Sequence, residues 1–123
     1  ESIGTKVDII LRRNGKTYVI DTKWKRPYKS SASISDLRQM YSYCRFWKAE
    51  KALLLYPGNP TGSIFQEFLT DDYYLDSDDQ PKEIKHQCKM GFVSVLNAKN
   101  ELDDNIASNI LKELELDVPF IWN

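Results

Sequence analysis

The 123-residue chain is 41% hydrophobic and 28% charged, with a net charge of −1, the composition of an ordinary globular domain able to bury a core without disulfides or a structural metal. It contains no apolar run near the ~20 residues of a membrane span, no secretory signal, and no GxxxxGK or GxGxxG sequence, which argues against nucleotide binding. One histidine, His86, and two isolated cysteines, Cys44 and Cys88, argue against histidine metal clusters, Ser-His or Cys-His catalysis, CxxC zinc sites and a disulfide framework.

The text begins at Glu1 and enters a strand almost at once, so the expectation is a single domain, 1–123, forming the C-terminal piece of a longer protein in a reduced, cytoplasmic setting. Residues 7–11 and 17–23 read as strands rich in β-branched residues. Between them Arg13-Asn14-Gly15-Lys16 is a hairpin signal, because Asn and Gly tolerate the positive φ angles of a type I′ turn. A two-residue loop pairs Arg13 with Lys16, and the same register sets Asp8 directly across from Asp21. Side chains alternate along a strand, so Lys23 shares the face of Asp21. Opposed carboxylates with Cβ atoms about 5 Å apart repel unless a proton or cation lies between them.

Residues 24–32 (Trp-Lys-Arg-Pro-Tyr-Lys-Ser-Ser-Ala) form a basic, aromatic loop, in which Lys25, Arg26, Tyr28 and Lys29 are candidates for contact with nucleic acid. Ser33 followed by Asp36 fits a capping box, and a helix is expected over 34–49. Its apolar stripe is Leu37, Met40, Tyr41, Cys44 and Trp47 or Lys48. Gln39 and Tyr43, four apart, share a polar face with Asp36 one turn before. Residues 51–56 (Lys-Ala-Leu-Leu-Leu-Tyr) have the continuously apolar look of a strand covered on both faces. Pro57 to Gly62 breaks the chain, 64–69 is ambiguous between helix and strand, and 71–80 reads as an acidic loop. A strand is expected over 85–96, paired with the segment before it, and a last helix capped by Asp103 or Asp104. The whole is an α/β arrangement.

Charge divides unevenly: residues 1–52 hold 12 Lys/Arg against 5 Asp/Glu, and residues 53–123 hold 5 against 13. The candidate site lies in the basic half, a pointer toward a polyanion. Chemically, Asp8 and Asp21 with the Thr22 carbonyl would give Mg²⁺ the few hard oxygen ligands it needs beside its waters. Lys23 is placed to orient an attacking water or to stabilise a developing phosphorane charge. The plain alternative is a solvated hairpin face carrying an Asp21–Lys23 ion pair, which leaves the placement of Asp8 unexplained.

Taken in order, Val7-Asp8-Ile9-Ile10-Leu11, Val19-Ile20-Asp21-Thr22-Lys23-Trp24-Lys25, Ser35-Asp36-Leu37-Arg38-Gln39-Met40-Tyr41-Ser42-Tyr43 and Leu53-Leu54-Leu55-Tyr56-Pro57 resemble the PD-(D/E)XK nucleases. Within that superfamily they look most like the McrC subunit of modification-dependent 5-methylcytosine restriction systems. The resemblance covers residues 5–57 and leaves 58–123 as an α/β remainder; Val7 stands where the family name has Pro. It implies a restriction-endonuclease-like mixed sheet flanked by helices, lacking its first helix and strand here. It further implies a Mg²⁺-dependent (or Mn²⁺-dependent) DNA endonuclease with Asp8 and Asp21 as metal ligands, Lys23 assisting the water, and Gln39 and Tyr43 as the supporting Gln-xxx-Tyr motif of the RecB-like branch. The implied partner is a McrB-type AAA+ GTPase that recognises methylated DNA, and double-strand cutting would call for dimerisation. The alternatives are a RecB-like exonuclease, a junction resolvase, and a catalytically inactive DNA-binding or assembly module of the same fold.

Overall fold

The computed structural model describes residues 7–23, 33–96, 98, 99, 101 and 104–116. Strands β1 (Ile9–Arg13) and β2 (Lys16–Thr22) form the expected hairpin. Asn14 and Gly15 both take positive φ, 54° and 76°, as a type I′ turn requires. The ladder runs from Arg13↔Lys16 to Ile9↔Ile20, so the register read from the turn is the one observed.

Helix α1 (Ile34–Trp47) follows, with Ser33 at its N-cap accepting from the Asp36 amide at 3.0 Å. It ends at Lys48, which adopts a left-handed conformation at φ 53°. Strand β3 (Lys51–Pro57) is central and buried on both faces, pairing in parallel with β2 on one side and with β7 (Gln87–Val93) on the other. A short strand β4 (Gln66–Glu67) resolves the ambiguous 64–69 segment and pairs antiparallel with β7. The resulting mixed sheet has the order β1-β2-β3-β7-β4.

Two cores lie on its two faces. On one, Val19, Ala52, Leu54, Tyr56 and Cys88 meet Met40, Tyr43 and Cys44 of α1. On the other, Tyr18, Ile20, Leu53, Leu55 and Val93 meet Leu114 beyond helix α2 (Ile106–Glu113). Buried Lys89 reaches from the sheet to the Glu113 carbonyl at 2.7 Å and its carboxylate at 3.3 Å, a favourable charge for a helix C-terminus. Gly91 permits this approach, since a Cβ there would lie 2.7 Å from both Glu113 and Leu53.

Three expectations are corrected. The region 71–80 is not a loop: Tyr73–Leu75 (β5) and Pro81–Glu83 (β6) form a separate hairpin, whose turn is tied by Asp76 accepting from the Asp78 and Gln80 amides. The N-cap of α2 is Asn105, one residue after Asp104, while Asp103 lies outside the described residues. The buried stripe of α1 is Met40, Tyr43 and Cys44, with Leu37 exposed at 37%. The physical reason is the helix's rotation: Asp36 and Gln39 bond to the end of β2, and this turns Tyr43 inward and Leu37 to the flank. Among the described residues no helix is long and apolar enough to cross a membrane.

Candidate active site

The site lies at the carboxyl end of β2, beside the first turn of α1, where open α/β sheets place their ligands. Alternation along β1 and β2 puts Asp8, Ile10 and Arg12 on the same sheet face as Val19, Asp21 and Lys23. Ile10 and Val19 belong to the core under α1, and the Arg12 guanidinium lies 5.7 Å from the Trp47 ring centre.

One step beyond Ile9↔Ile20 the same register sets Asp8 across from Asp21. Asp8 itself sits in a bend just before β1. The Thr22 amide, which the register would pair with Val7, donates to Asp8 Oδ2 at 2.8 Å, and the Thr22 hydroxyl donates to the same oxygen at 2.6 Å. The Asp8 carboxylate thus replaces the next rung of the ladder. The Thr22 hydroxyl is a functional group that sequence reasoning missed, having considered only its carbonyl.

The two carboxylates act on each other and diverge electrostatically. The Thr22 side chain and then its amide hold the Asp8 carboxyl below its ordinary value. Burial pushes Asp21 above its own; Lys23 opposes that shift and the neighbouring Asp8 adds to it. Such a pair is stable only with a proton or a cation between its oxygens.

Lys23 completes the group. Its ammonium lies 3.0 Å from Asp21 Oδ2 and 3.3 Å from Asp36 Oδ1, and it donates to Gln39 Oε1 at 3.3 Å. Burial would lower its pKa, but the Asp21 and Asp36 carboxylates outweigh that and hold it above its usual value. The structure therefore brings together Asp8, Asp21, Thr22, Lys23 and Gln39. Tyr43 packs in the core with Val19, Met40 and Leu54. Lys25, Arg26, Tyr28 and Lys29 lie outside the described residues.

As a metal centre the donor set is lean. Asp8 and Asp21 supply hard oxygens, and among the described residues no third His, Cys, Asp or Glu joins them in a metal-holding group. That suits Mg²⁺, which keeps several waters and needs one or two carboxylates, better than a cation requiring a full protein cage.

Residues 2–57 match the family model of the McrBC 5-methylcytosine restriction system component. That segment is McrBC-like. The family resemblance carried by its motifs is thereby borne out. A further match is to a chain of a solved structure described as a refined half-complex from the tetradecameric assembly of Thermococcus gammatolerans McrB AAA+ hexamers with bound McrC. The identity is 20% and the TM-score 0.53, over 90% of this chain and 25% of that one. At that identity the likeness shows the α/β fold, and this chain spans a quarter of the length of the chain it matches. No curated protein matches this chain.

Proposed function

We propose that this chain carries the nuclease centre of an McrC-like subunit, hydrolysing DNA phosphodiesters with Mg²⁺ on a PD-(D/E)XK-type fold. The observation that supports it most is the placement of two carboxylates, Asp8 and Asp21, opposite each other by the hairpin register, with an ammonium 3.0 Å from Asp21. The Thr22 bonds give Asp8 a place in the ladder, but directly opposed like charges disfavour a hairpin, so Asp21 across from it is left without a structural reason.

Asp8 and Asp21 would hold the ion, and Thr22 keeps Asp8 ionised and aimed by donating two hydrogen bonds to one of its oxygens. When bound, Mg²⁺ or Mn²⁺ would supply Lewis-acid polarisation of the phosphate and an activated water. Lys23, oriented by Gln39, places a fixed positive charge where negative charge grows on the phosphorus oxygens, and it needs no reorganisation to do so. The basic surplus of residues 1–52 favours a polyanionic substrate near this site. Sequence selection is left to a partner, for which a McrB-type AAA+ GTPase is the reading favoured by the two matches.

Plasmid nicking with Mg²⁺ or Mn²⁺, compared with and without chelator and with Asp21→Ala and Lys23→Ala, tests the chemistry. Metal-dependent nicking that both variants abolish supports it; DNA binding without cleavage under any metal, alone or with the GTPase, would leave an inactive DNA-binding module. Co-elution with a McrB-type GTPase tests the partner separately.

A further inference from the structure

We propose that Asp36 is a positioning residue of this centre: with Gln39 it fixes the Lys23 ammonium beside Asp21, so that helix α1 sets where that cation stands. The inference rests on the nuclease reading of the site and goes beyond it in naming what holds the lysine.

An ammonium has three N–H donors, and Lys23 has three acceptors: Asp21 Oδ2 at 3.0 Å, Asp36 Oδ1 at 3.3 Å and Gln39 Oε1 at 3.3 Å. Its donor capacity is used up although a quarter of the side chain remains exposed. A lysine on a four-carbon stem is otherwise the least directional of cations. Here two of its three bonds go to one helix face, because residues three apart on a helix are neighbours. That face is itself fixed in rotation by Met40, Tyr43 and Cys44 buried beneath it and in start point by the Ser33 cap.

The division of labour follows from chemistry. Asp21 is the bond that loosens when its carboxylate turns to the metal it would hold. Asp36 and Gln39 are anchors that stay. Asp36 therefore serves twice on one turn of helix: its amide takes the cap from Ser33, and its carboxylate reaches across to β2.

The experiment uses the full chain with Asp36→Ala, which removes the anchor, Asp36→Asn, which keeps an acceptor of the same size, and Ser33→Ala, which weakens the same helix end without touching Lys23. With Mn²⁺ and plasmid, Asp36→Ala is expected to lower kcat about 10–100-fold, the range seen when a group orienting a metal-site residue is removed. KM should stay nearly constant, and Asp36→Asn should recover much of the loss. Ser33→Ala should lower the melting temperature and cost far less kcat than Asp36→Ala; an equal loss would make the effect one of helix stability and overturn the proposal. Two readouts do not need turnover. Mn²⁺ affinity followed by electron paramagnetic resonance should barely change in Asp36→Ala, whereas a loss as large as that of Asp21→Ala makes Asp36 a ligand and overturns the proposal. The ammonium resonance of Lys23 in ¹⁵N-lysine-labelled protein should be protected from solvent exchange and lose that protection in Asp36→Ala. If it is equally exposed in both, the anchoring is refuted even should the chain cut no DNA, so failure of the nuclease reading and failure of this inference remain distinct.

Discussion

Polar side chains grip helix α1 at two places, and the two clusters are built on opposite plans. On one side Asp36 and Gln39 hold Lys23, which stands beside Asp21 and Asp8. On the other, Tyr41 and Arg45 both reach Asp72, whose second oxygen accepts from Thr70 at 2.8 Å. His86, buried beside it, donates from Nδ1 to the Ala49 carbonyl, and its Nε2 lies 2.5 Å from the Tyr74 hydroxyl. Arg45 and Lys48 flank the Tyr74 ring at 5.6 and 5.7 Å.

Around Asp72 one buried negative charge is met by a guanidinium and two hydroxyls. Burial disfavours that charge, but these partners outweigh it and keep the carboxyl below its usual value. At the other cluster three carboxylates, Asp8, Asp21 and Asp36, gather around one ammonium. The satisfied network is architecture, pinning the β5–β6 hairpin onto the helix. The like-charged pair, though each acid has a partner, carries a repulsion that a bound cation would relieve.

That contrast can be broken by experiment. The largest expected effect is on activity: Asp21→Ala or Lys23→Ala should reduce nicking at least ~10³-fold while circular dichroism stays native, and substantial residual cutting would place the centre elsewhere. Next, Asp72→Ala should cost about 2–4 kcal/mol in urea denaturation, since it strands the Tyr41 and Thr70 hydroxyls and Arg45. Its Mn²⁺ affinity should remain that of the parent. A parent-like denaturation midpoint would mean that the network is ornamental.

The same residue predicts an acid limb. Because the folded carboxyl of Asp72 lies below the ordinary value of 3.8, its contribution is fully present above that value and is lost as pH falls through the folded one. Denaturation midpoints of the parent should drop below about pH 4 more steeply than those of Asp72→Asn, and parallel curves contradict the assignment. Smallest is a gain: in chelator, Asp21→Asn should be neutral or more stable by about 0.2–1 kcal/mol, because like charges no longer oppose. A clear loss of stability would show that the carboxylate pair is structural after all.

Much of the site was legible because it depends on local geometry. Asn14-Gly15 fixes one register, and everything from Asp8 opposite Asp21 to Lys23 on the same face follows by counting. Gln39 was legible through its spacing of four from Tyr43, with Asp36 one turn before. The role of Asp36 beyond capping was harder to see, because a first-turn carboxylate already has a sufficient reason to be there. Tyr43 was read onto a polar face by the same spacing, yet its ring is buried; only tertiary contact decides how a helix with apolar residues around most of its girth will roll. The β5–β6 hairpin was hidden because its strands are three residues each and its turn is all polar, so no alternation is long enough to register. Its anchor, Asp72 with Tyr41 and Arg45, joins residues about thirty positions apart, a pairing that no local pattern announces.

The two-residue reversal at Asn14-Gly15 also acts as a phase setter for Asp8, Asp21 and Lys23. A single amino acid added there would slide one strand past the other by one step, and because strand side chains alternate, Asp8 would swap faces while Lys23 kept its own. The sheet could then still assemble with its acids divided between front and back. A loop of two residues, on the face of it mere connection, thus determines whether Asp8, Asp21 and Lys23 meet on one face at all.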